Sequence, residues 1–451
     1  MSVARSHSGK KGLSLLFIHQ SFPSQYEFIA RHYAADPENI VVAIGQAGRV
    51  HSLPGVRTLL YDFSEEMEEL NPHTHPYSQR FSVDVCRGRL VARLLASLRE
   101  QGFSPDVICV HPIWGEGLFI RTVYPDTPLL VYAEWYFDLS APNYHFDPEF
   151  PLSGDQLCST QAACACTAVS FASATCLQTP TRFQLQMLPS AFHDRTTLVH
   201  DGVDTRYFVP SASAKLVLSP TGKIFSSVFA PLPDWIPPRR EERVLTRADT
   251  VVTFINRTLE PYRGWHQYAR ALPLIQKACP EAHFVIVGGT SSAAYGLPPP
   301  QGENWRDVFL KEVRNQVDWS RVHFLGWVPL GTVRDLLCVS RAHVYLTYPF
   351  VLGWSAINAM SCATPIVFSD TPPCREVAEH EKTALLADFH SPGAIAEAVL
   401  RLINDPALAE RLGQNARRHA VRHYDLDSVC LPRLVRTINT LAQGKMPRSF
   451  R

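Results

Sequence analysis

The sequence lacks any apolar run approaching the ~18 residues that a membrane-spanning helix requires, which excludes an integral membrane segment as an expectation. It also lacks a dominant charge: 43 Lys and Arg stand against 42 Asp and Glu, a formal net charge of +1. Without a basic or acidic excess, nothing marks nucleic acid or an anionic membrane surface as a partner. The 11 cysteines are odd in number and form no C-x-x-C spacing, the closest pair being Cys164 and Cys166. That pattern excludes a disulfide framework or a zinc site and reads as apolar core thiols in a reducing compartment, the cytoplasm. Metal motifs are equally scarce. His73 and His75 form the one tight His pair, and Asp425-Leu-Asp427 is a lone D-x-D far from any nucleotide-binding strand, so no metal is expected. The apolar run Leu13 to Ile18 after Lys10 and Lys11 is too short for a signal core and reads as a first strand.

What is present is an ordinary globular balance, 46% hydrophobic and 19% charged over 451 residues. Short continuous apolar runs alternate with helical patterns: Leu15 to His19, Ile40 to Ile44, Val107 to Val110, Leu129 to Tyr132 and Thr197 to His200. They resume at Val251 to Ile255, Phe284 to Val287, Val322 to Leu325, Val344 to Tyr348 and Pro365 to Phe368. Strands apolar on both faces belong to parallel sheets covered by helices. Two groups of such runs predict an α/β protein of two doubly wound, Rossmann-like domains. The expected boundaries are 1–209 for the first domain, 210–247 for a Pro-rich linker or insertion and 248–415 for the second. Residues 416–451 are expected as a helical segment packing back on the first domain. A second proline-rich loop spans Thr290 to Gly302.

Ligands bind outside the carboxyl ends of parallel strands, so chemistry there carries weight. Phe254-Ile-Asn-Arg-Thr-Leu-Glu-Pro-Tyr-Arg-Gly puts Arg257 and Arg263 on one such loop. Two forked, permanently charged guanidiniums suit a diphosphate. Farther on, Leu346-Thr-Tyr-Pro-Phe-Val-Leu-Gly-Trp-Ser-Ala-Ile-Asn-Ala-Met leads from a strand through Gly353 into a helix expected from about Ser355 to Ala363. The backbone N–H groups of Gly353, Trp354 and Ser355 would offer an anion site at that helix start. In the first half, His111 closes a strand in His111-Pro-Ile-Trp-Gly-Glu, with Glu116 as a weaker companion. The loop His19-Gln-Ser-Phe-Pro-Ser offers Gln20 and Ser24. Glu134, Tyr136, Asp138, His145 and Asp147 follow the strand Leu129 to Tyr132.

The order of these motifs resembles glycosyltransferase family 4, whose members are retaining enzymes with the two-domain GT-B fold. His200-Asp-Gly-Val-Asp-Thr-Arg-Tyr-Phe is similar to that family's domain junction, and Phe324-Leu-Gly, with Leu325 and Gly326, to its base-binding strand end. The resemblance implies that Arg257 and Arg263 bind the diphosphate of a nucleoside-diphosphate sugar, the co-substrate. It implies that His111 lies by the donor sugar and acceptor, that Gln20, Ser24, Glu116 and Glu134 lie on the side of a small-molecule acceptor, and that two arginines do a metal's work. It departs from the family in three places: Arg257 and Arg263 stand where members usually have Arg and Lys, at a spacing one residue longer; Ser24 stands where related sequences often have Gly; and the two glutamates that contact donor sugar and ribose are replaced by Phe350 and Asn358. An unusual donor sugar follows. Sulfur-glycosylating enzymes of lincosamide biosynthesis, which join a GDP-octose to the thiol of ergothioneine, are of this general kind. The alternatives are a nucleotide-sugar 2-epimerase and a catalytically silent sugar-nucleotide-binding relative. A homo-oligomer is compatible with all three.

Overall fold

The computed structural model describes residues 12–64, 74–219, 229–290 and 295–447. Lys10, Lys11 and His73, part of the expected linker (220–228) and part of the proline-rich loop (291–294) lie outside the described residues. The chain forms two compact units.

The first unit comprises residues 1–141, 152–201 and 430–451. Its sheet has strands β1 (Ser14–Ile18), β2 (Ile40–Gln46), β3 (Val56–Tyr61), β4 (Val107–Val110), β5 (Leu129–Tyr132), β6 (Cys176–Thr179) and β7 (Thr196–Leu198). They are parallel, in the order β3-β2-β1-β4-β5-β6-β7. Side chains alternate across the sheet, so Leu16 and Ile18 join one core while Leu15 and Phe17 join the other. Helices Gln79–Glu100 and Gly154–Ser173 cover the first face, with Val91, Leu95 and Phe171 buried. Helices Glu27–Ala34 and Leu431–Ala442 cover the second, through Ile29, Tyr33, Ile438 and Leu441. Each such fully buried aliphatic contributes about 1.5–3 kcal/mol. The Tyr33 hydroxyl also donates to Asn439 Oδ1 at 2.8 Å, fixing the last helix.

The second unit comprises residues 142–151 and 202–429. A hairpin of β8 (Lys215–Leu218) and β9 (Arg243–Thr246) precedes a parallel sheet. That sheet holds β10 (Val251–Thr258), β11 (His283–Gly289), β12 (Val322–Gly326), β13 (Ala342–Tyr345), β14 (Ile366–Ser369) and β15 (Leu385–Ala387), ordered β12-β11-β10-β13-β14-β15. Among the described residues no helix is long and apolar enough to cross a membrane.

Three expectations change. Residues 210–247 are not a bare linker: Leu216, Leu218 and Leu245 of the β8–β9 hairpin enter the second core. The prolines between the two strands hide their short alternating patterns. Residues 142–151 belong to the second unit, because Asp147 accepts hydrogen bonds from His266 Nε2 (2.9 Å) and the Tyr348 hydroxyl (2.8 Å). Finally, the closing helical segment divides. Helix Pro406–Tyr424 stays with the second unit, and only the chain from Cys430 belongs to the first.

Helix Pro406–Tyr424 lies so close to the end of helix Trp354–Ser361 that a Cβ at Gly413 would sit 2.2 Å from the Ala363 carbonyl oxygen. Gly413→Ala should therefore cost about 1–3 kcal/mol, read as a lowered thermal midpoint. Gly154→Ala, where an added Cβ meets nothing within 4 Å, should leave the midpoint unchanged or slightly raised.

Candidate functional site

In both sheets the strand order reverses direction beside the first strand, between β1 and β4 and between β10 and β13. The crevice outside the carboxyl ends at such a switch point is where ligands bind in sheets of this kind. His19, Gln20 and His111 follow β1 and β4, and Arg257 to Arg263 and Thr347 to Ser355 follow β10 and β13.

In the second unit the chain leaves β10 through the single turn Pro261–Arg263 and enters helix Trp265–Ala278 at Gly264, whose φ is 68°. A side chain there would be strained, and its Cβ would lie 2.4 Å from the Leu346 Cβ. The turn buries Arg263, whose Nη1 donates to Val351 O (2.7 Å) and Thr347 Oγ1 (3.0 Å) and stands 3.5 Å from the Tyr345 hydroxyl. Arg257 is exposed. Both guanidiniums lie over the Tyr295 ring, 5.2 Å away for Arg257 and 5.5 Å for Arg263. Beneath them Glu260 is buried and accepts the Tyr295 N–H at 2.9 Å. Burial pushes its carboxyl up to about 7, against the pull of Arg263, the Tyr295 N–H and Arg257.

Phe350 is buried in an aromatic group, 4.9 Å from Tyr295 and 5.5 Å from Tyr262, and Tyr262 stacks on Tyr348 at 4.4 Å. The helix runs Trp354–Ser361 rather than from Ser355 to Ala363. One expected free donor is taken, since the Gly353 N–H donates to the Tyr345 hydroxyl at 2.6 Å. Trp354 is 49% exposed, and the Ser355 hydroxyl donates to Ile255 O. Asn358 is half-buried one turn along, as is Leu325 at the end of β12. Gly326 follows with φ 62°, and Trp327 Nε1 ties this turn to the Arg257 carbonyl at 2.7 Å.

In the first unit His111 is fully buried, stacked on Trp114 (4.7 Å) and Tyr132 (5.3 Å), with His19 at 4.9 Å. Among the described residues neither of its ring nitrogens has a hydrogen-bond partner; Glu134 Oε2 stands 3.6 Å from Nε2. Buried unsatisfied nitrogens are unusual and call for a ligand or another explanation. Burial, with His111 adding to it, holds the His19 imidazole well below its usual range. Ser24 adopts φ 41°, the left-handed region that favours glycine. Gln20 is tied to Gln46 (3.0 Å) and Arg49 (3.3 Å). Glu116 is turned to the Tyr61 hydroxyl (2.8 Å) and is not bonded to His111. Of the residues after β5, Tyr136 packs on Phe171, Asp138 caps a turn at Ser140, and Asp147 lies in the second unit.

Among the described residues one group has ligand atoms close enough to hold a metal, Asp147, Glu149 and His266. Its donors are already engaged: Asp147 by His266 and Tyr348, and Glu149 by both Arg270 Nη atoms at 2.7 Å. Asp425 is likewise engaged by the Thr205 and Ser428 hydroxyls.

Two family models match the chain: Glycosyl transferase family 4 group over residues 37–208, and Glycosyl transferases group 1 over residues 239–419. Residues 239–419 thus match the glycosyltransferase group 1 family, and residues 37–208 the glycosyltransferase family 4 group. A D-inositol 3-phosphate glycosyltransferase of Jonesia denitrificans is 30% identical over 191 residues, 40% of this chain and 42% of that protein. An alpha-maltose-1-phosphate synthase of Mycobacterium tuberculosis is 23% identical over 53% of this chain and 56% of its own length. The chain thus spans about half the length of the curated relatives it matches. Among solved structures, the sucrose-phosphate synthase of Thermosynechococcus elongatus superposes with TM-score 0.69 at 17% identity, over 96% of this chain and 100% of that one. HepE of Anabaena, solved with UDP and glucose, gives 0.62 at 16% identity over 95% of this chain and 100% of that one. The fold of this chain is accordingly GT-B.

Sequence reasoning missed Glu260, Tyr295, Tyr262 and Trp114. Glu260 and Tyr262 lay inside the motif that yielded both arginines; a carboxylate flanked by Arg257 and Arg263 was the available signal. Tyr295 carries none, because its role comes from tertiary placement alone.

Glu260 holds its proton more tightly folded, at about 7, than its ordinary 4.5. The folded chain therefore carries the extra proton between those values, and this contribution to stability is lost as pH rises through about 7. The stability of the natural protein relative to Glu260→Gln should fall from pH 4.5 to 7. Chemical denaturation at several pH values measures it, and a flat difference would mean Glu260 binds its proton no more tightly in the folded chain than in the unfolded one.

Proposed function

We propose that this chain is a group 1 glycosyltransferase that moves a sugar from a nucleoside-diphosphate sugar to a small-molecule acceptor with retention at the anomeric carbon. The observation that carries this reading is the Arg257–Arg263 pair at the switch point of the second sheet, both guanidiniums over the Tyr295 ring. The bond to break joins the anomeric carbon to the diphosphate. Its cleavage leaves charge on phosphate oxygens, and guanidiniums already oriented for them lower the barrier without reorganising. Arg263 is preset by Val351 O and Thr347, and Arg257 supplies the exposed, adaptable partner. The N–H groups of Trp354 and Ser355 would add to the anion site. In the first unit the unsatisfied nitrogens of His111 would meet a hydroxyl of the donor sugar or acceptor. Two permanent cations make a metal ion unnecessary in this reading; full transfer in the presence of EDTA tests that.

Phe350, packed among Tyr262 and Tyr295, offers a donor sugar an apolar face where family members offer a carboxylate. This favours an uncommon donor. The narrower reading, a GDP-linked eight-carbon sugar passed to the thiol of ergothioneine in antibiotic biosynthesis, rests on the motif resemblance and on that substitution. HepE, by contrast, was solved with UDP, so both nucleotides belong in the test. The unpaired state of all eleven cysteines favours a reducing compartment, the cytoplasm. A 2-epimerase would instead release an isomerised sugar without acceptor, and a silent relative would bind donor without turnover.

Calorimetric titration with UDP, GDP, TDP and ADP, without metal, should find one micromolar binder. Arg257→Ala should weaken it about 10- to 100-fold, the loss of one or two charge-assisted hydrogen bonds to phosphate. Arg257 is the cleaner probe, because removing buried Arg263 would also orphan Val351 O and Thr347. Absence of binding by all four nucleotides would sink the donor site. Asn358→Glu should shift nucleotide affinity more than thermal stability; unchanged affinity would remove position 358 from the ribose contact.

A further inference from the structure

A second cluster of positive charge lies at the opposite end of the same sheet. His283 opens β11 and Arg321 immediately precedes β12, whereas the proposed base subsite, Leu325 and Gly326, closes β12. Five residues of strand put these ends about 16 Å apart. Here Arg243 Nη1 (3.1 Å) and Arg321 Nη1 (3.0 Å) both approach His283 Nε2, and His283 Nδ1 lies 3.0 Å from His323 Nε2. Because His283 Nε2 accepts from the arginines, its Nδ1 carries the proton and donates to His323. Both imidazoles are therefore neutral, and burial with the surrounding guanidiniums holds them below their usual range. Arg239 adds a third guanidinium. Its Nη1 donates to Ser219 O at 3.0 Å, while its buried Nε has no partner among the described residues. Among the described residues the hydrogen bonds of these three arginines go to carbonyl oxygens or to His283, and none to a carboxylate.

Arg239, Arg243 and His323 line a pocket of about 570 Å³, whose remaining wall includes Ile236, Pro237 and Trp319. Glu241 and Glu242 stand on the same exposed turn and partly offset the charge without pairing with it. Glu281 and Asp249 act through space on Arg321 and His283, but guanidiniums that converge without a hydrogen-bonded carboxylate still favour an anion, and forked donors match phosphate oxygens. The apolar wall beside them fits an organic body attached to that phosphate.

We propose that this pocket binds a small phosphate monoester, its phosphate on Arg239 and Arg243 beside His323 and its organic part against Ile236, Pro237 and Trp319. The charged end of this pocket stands apart from the Arg257–Arg263 pair, although its lining reaches Leu325, which the proposed base subsite also uses; the proposal does not depend on that reading.

Calorimetry of the full chain with phenyl phosphate and with inorganic phosphate tests it. Phenyl phosphate should bind the natural protein more tightly than phosphate does, and equal affinity would overturn the ester assignment. The double variant Arg239→Met/Arg243→Met should lose about tenfold or more in affinity for both probes. Should that variant fail to fold, Arg239→Lys, which keeps the charge but loses the fork, should still weaken both. Unchanged affinity in the folded variant would overturn the proposal. So would no binding of phenyl phosphate up to about 10 mM, or its displacement by the nucleoside diphosphate that binds best.

Discussion

A buried guanidinium is the constraint around which the second unit's site is arranged. Arg263 cannot lose its charge, and a buried cation is tolerated only where oxygen atoms surround it. The chain meets this requirement with the Val351 carbonyl, the Thr347 hydroxyl and the nearby carboxyl of Glu260. Those groups sit on the segments leaving β10 and β13, so satisfying one charge sets the path of both loops. Tyr345 participates twice: its hydroxyl faces Arg263 and receives the Gly353 N–H that begins the following helix. The position of Phe350 and the start of that helix follow from the same set of bonds.

The two sheets share the order of six strands but differ in what they place at the switch point. The second gathers fixed positive charge over an aromatic ring, suited to an anion. The first gathers aromatic and imidazole rings, His19, His111, Trp114 and Tyr132, with one carboxylate, Glu134, close by. A common strand order thus supports a cationic subsite and one built from aromatic rings, because the chemistry resides in loops rather than in the strands.

Much of the fold was legible because both faces of a parallel strand are buried. Val107 to Val110 and Leu129 to Tyr132 match their observed strands residue for residue. The strands that escaped notice are polar or short. β3 contains Arg57 and Thr58 and is only partly buried, β6 ends in Gln178 and Thr179, and β15 spans Leu385–Ala387. The hairpin of β8 and β9 was masked by the prolines between its strands. Arg257 and Arg263 were legible from local spacing, whereas the occupied Gly353 N–H was not, because its partner, Tyr345, comes from the preceding strand. The ties of Gln20 to Gln46 and of Glu116 to Tyr61 were hidden for the same reason: each joins segments distant in sequence.

The stretch Pro142–Pro151 interrupts the first unit's sequence, yet Asp147, Glu149 and Phe150 all engage the second. A gene fragment cut at the apparent junction near Asp201 would encode a second unit without them. It would leave His266 and Tyr348 without their shared carboxylate, Arg270 with one acid instead of two, and a vacancy beside Trp305 and Phe309. The first unit, for its part, would lack the helix Leu431–Ala442 that closes one of its cores. Exchanging halves between relatives by a single crossover would therefore join each unit to a strap or a closing helix matched to a different partner. A recombinant that kept both would have to be spliced at every point where the chain passes from one unit to the other.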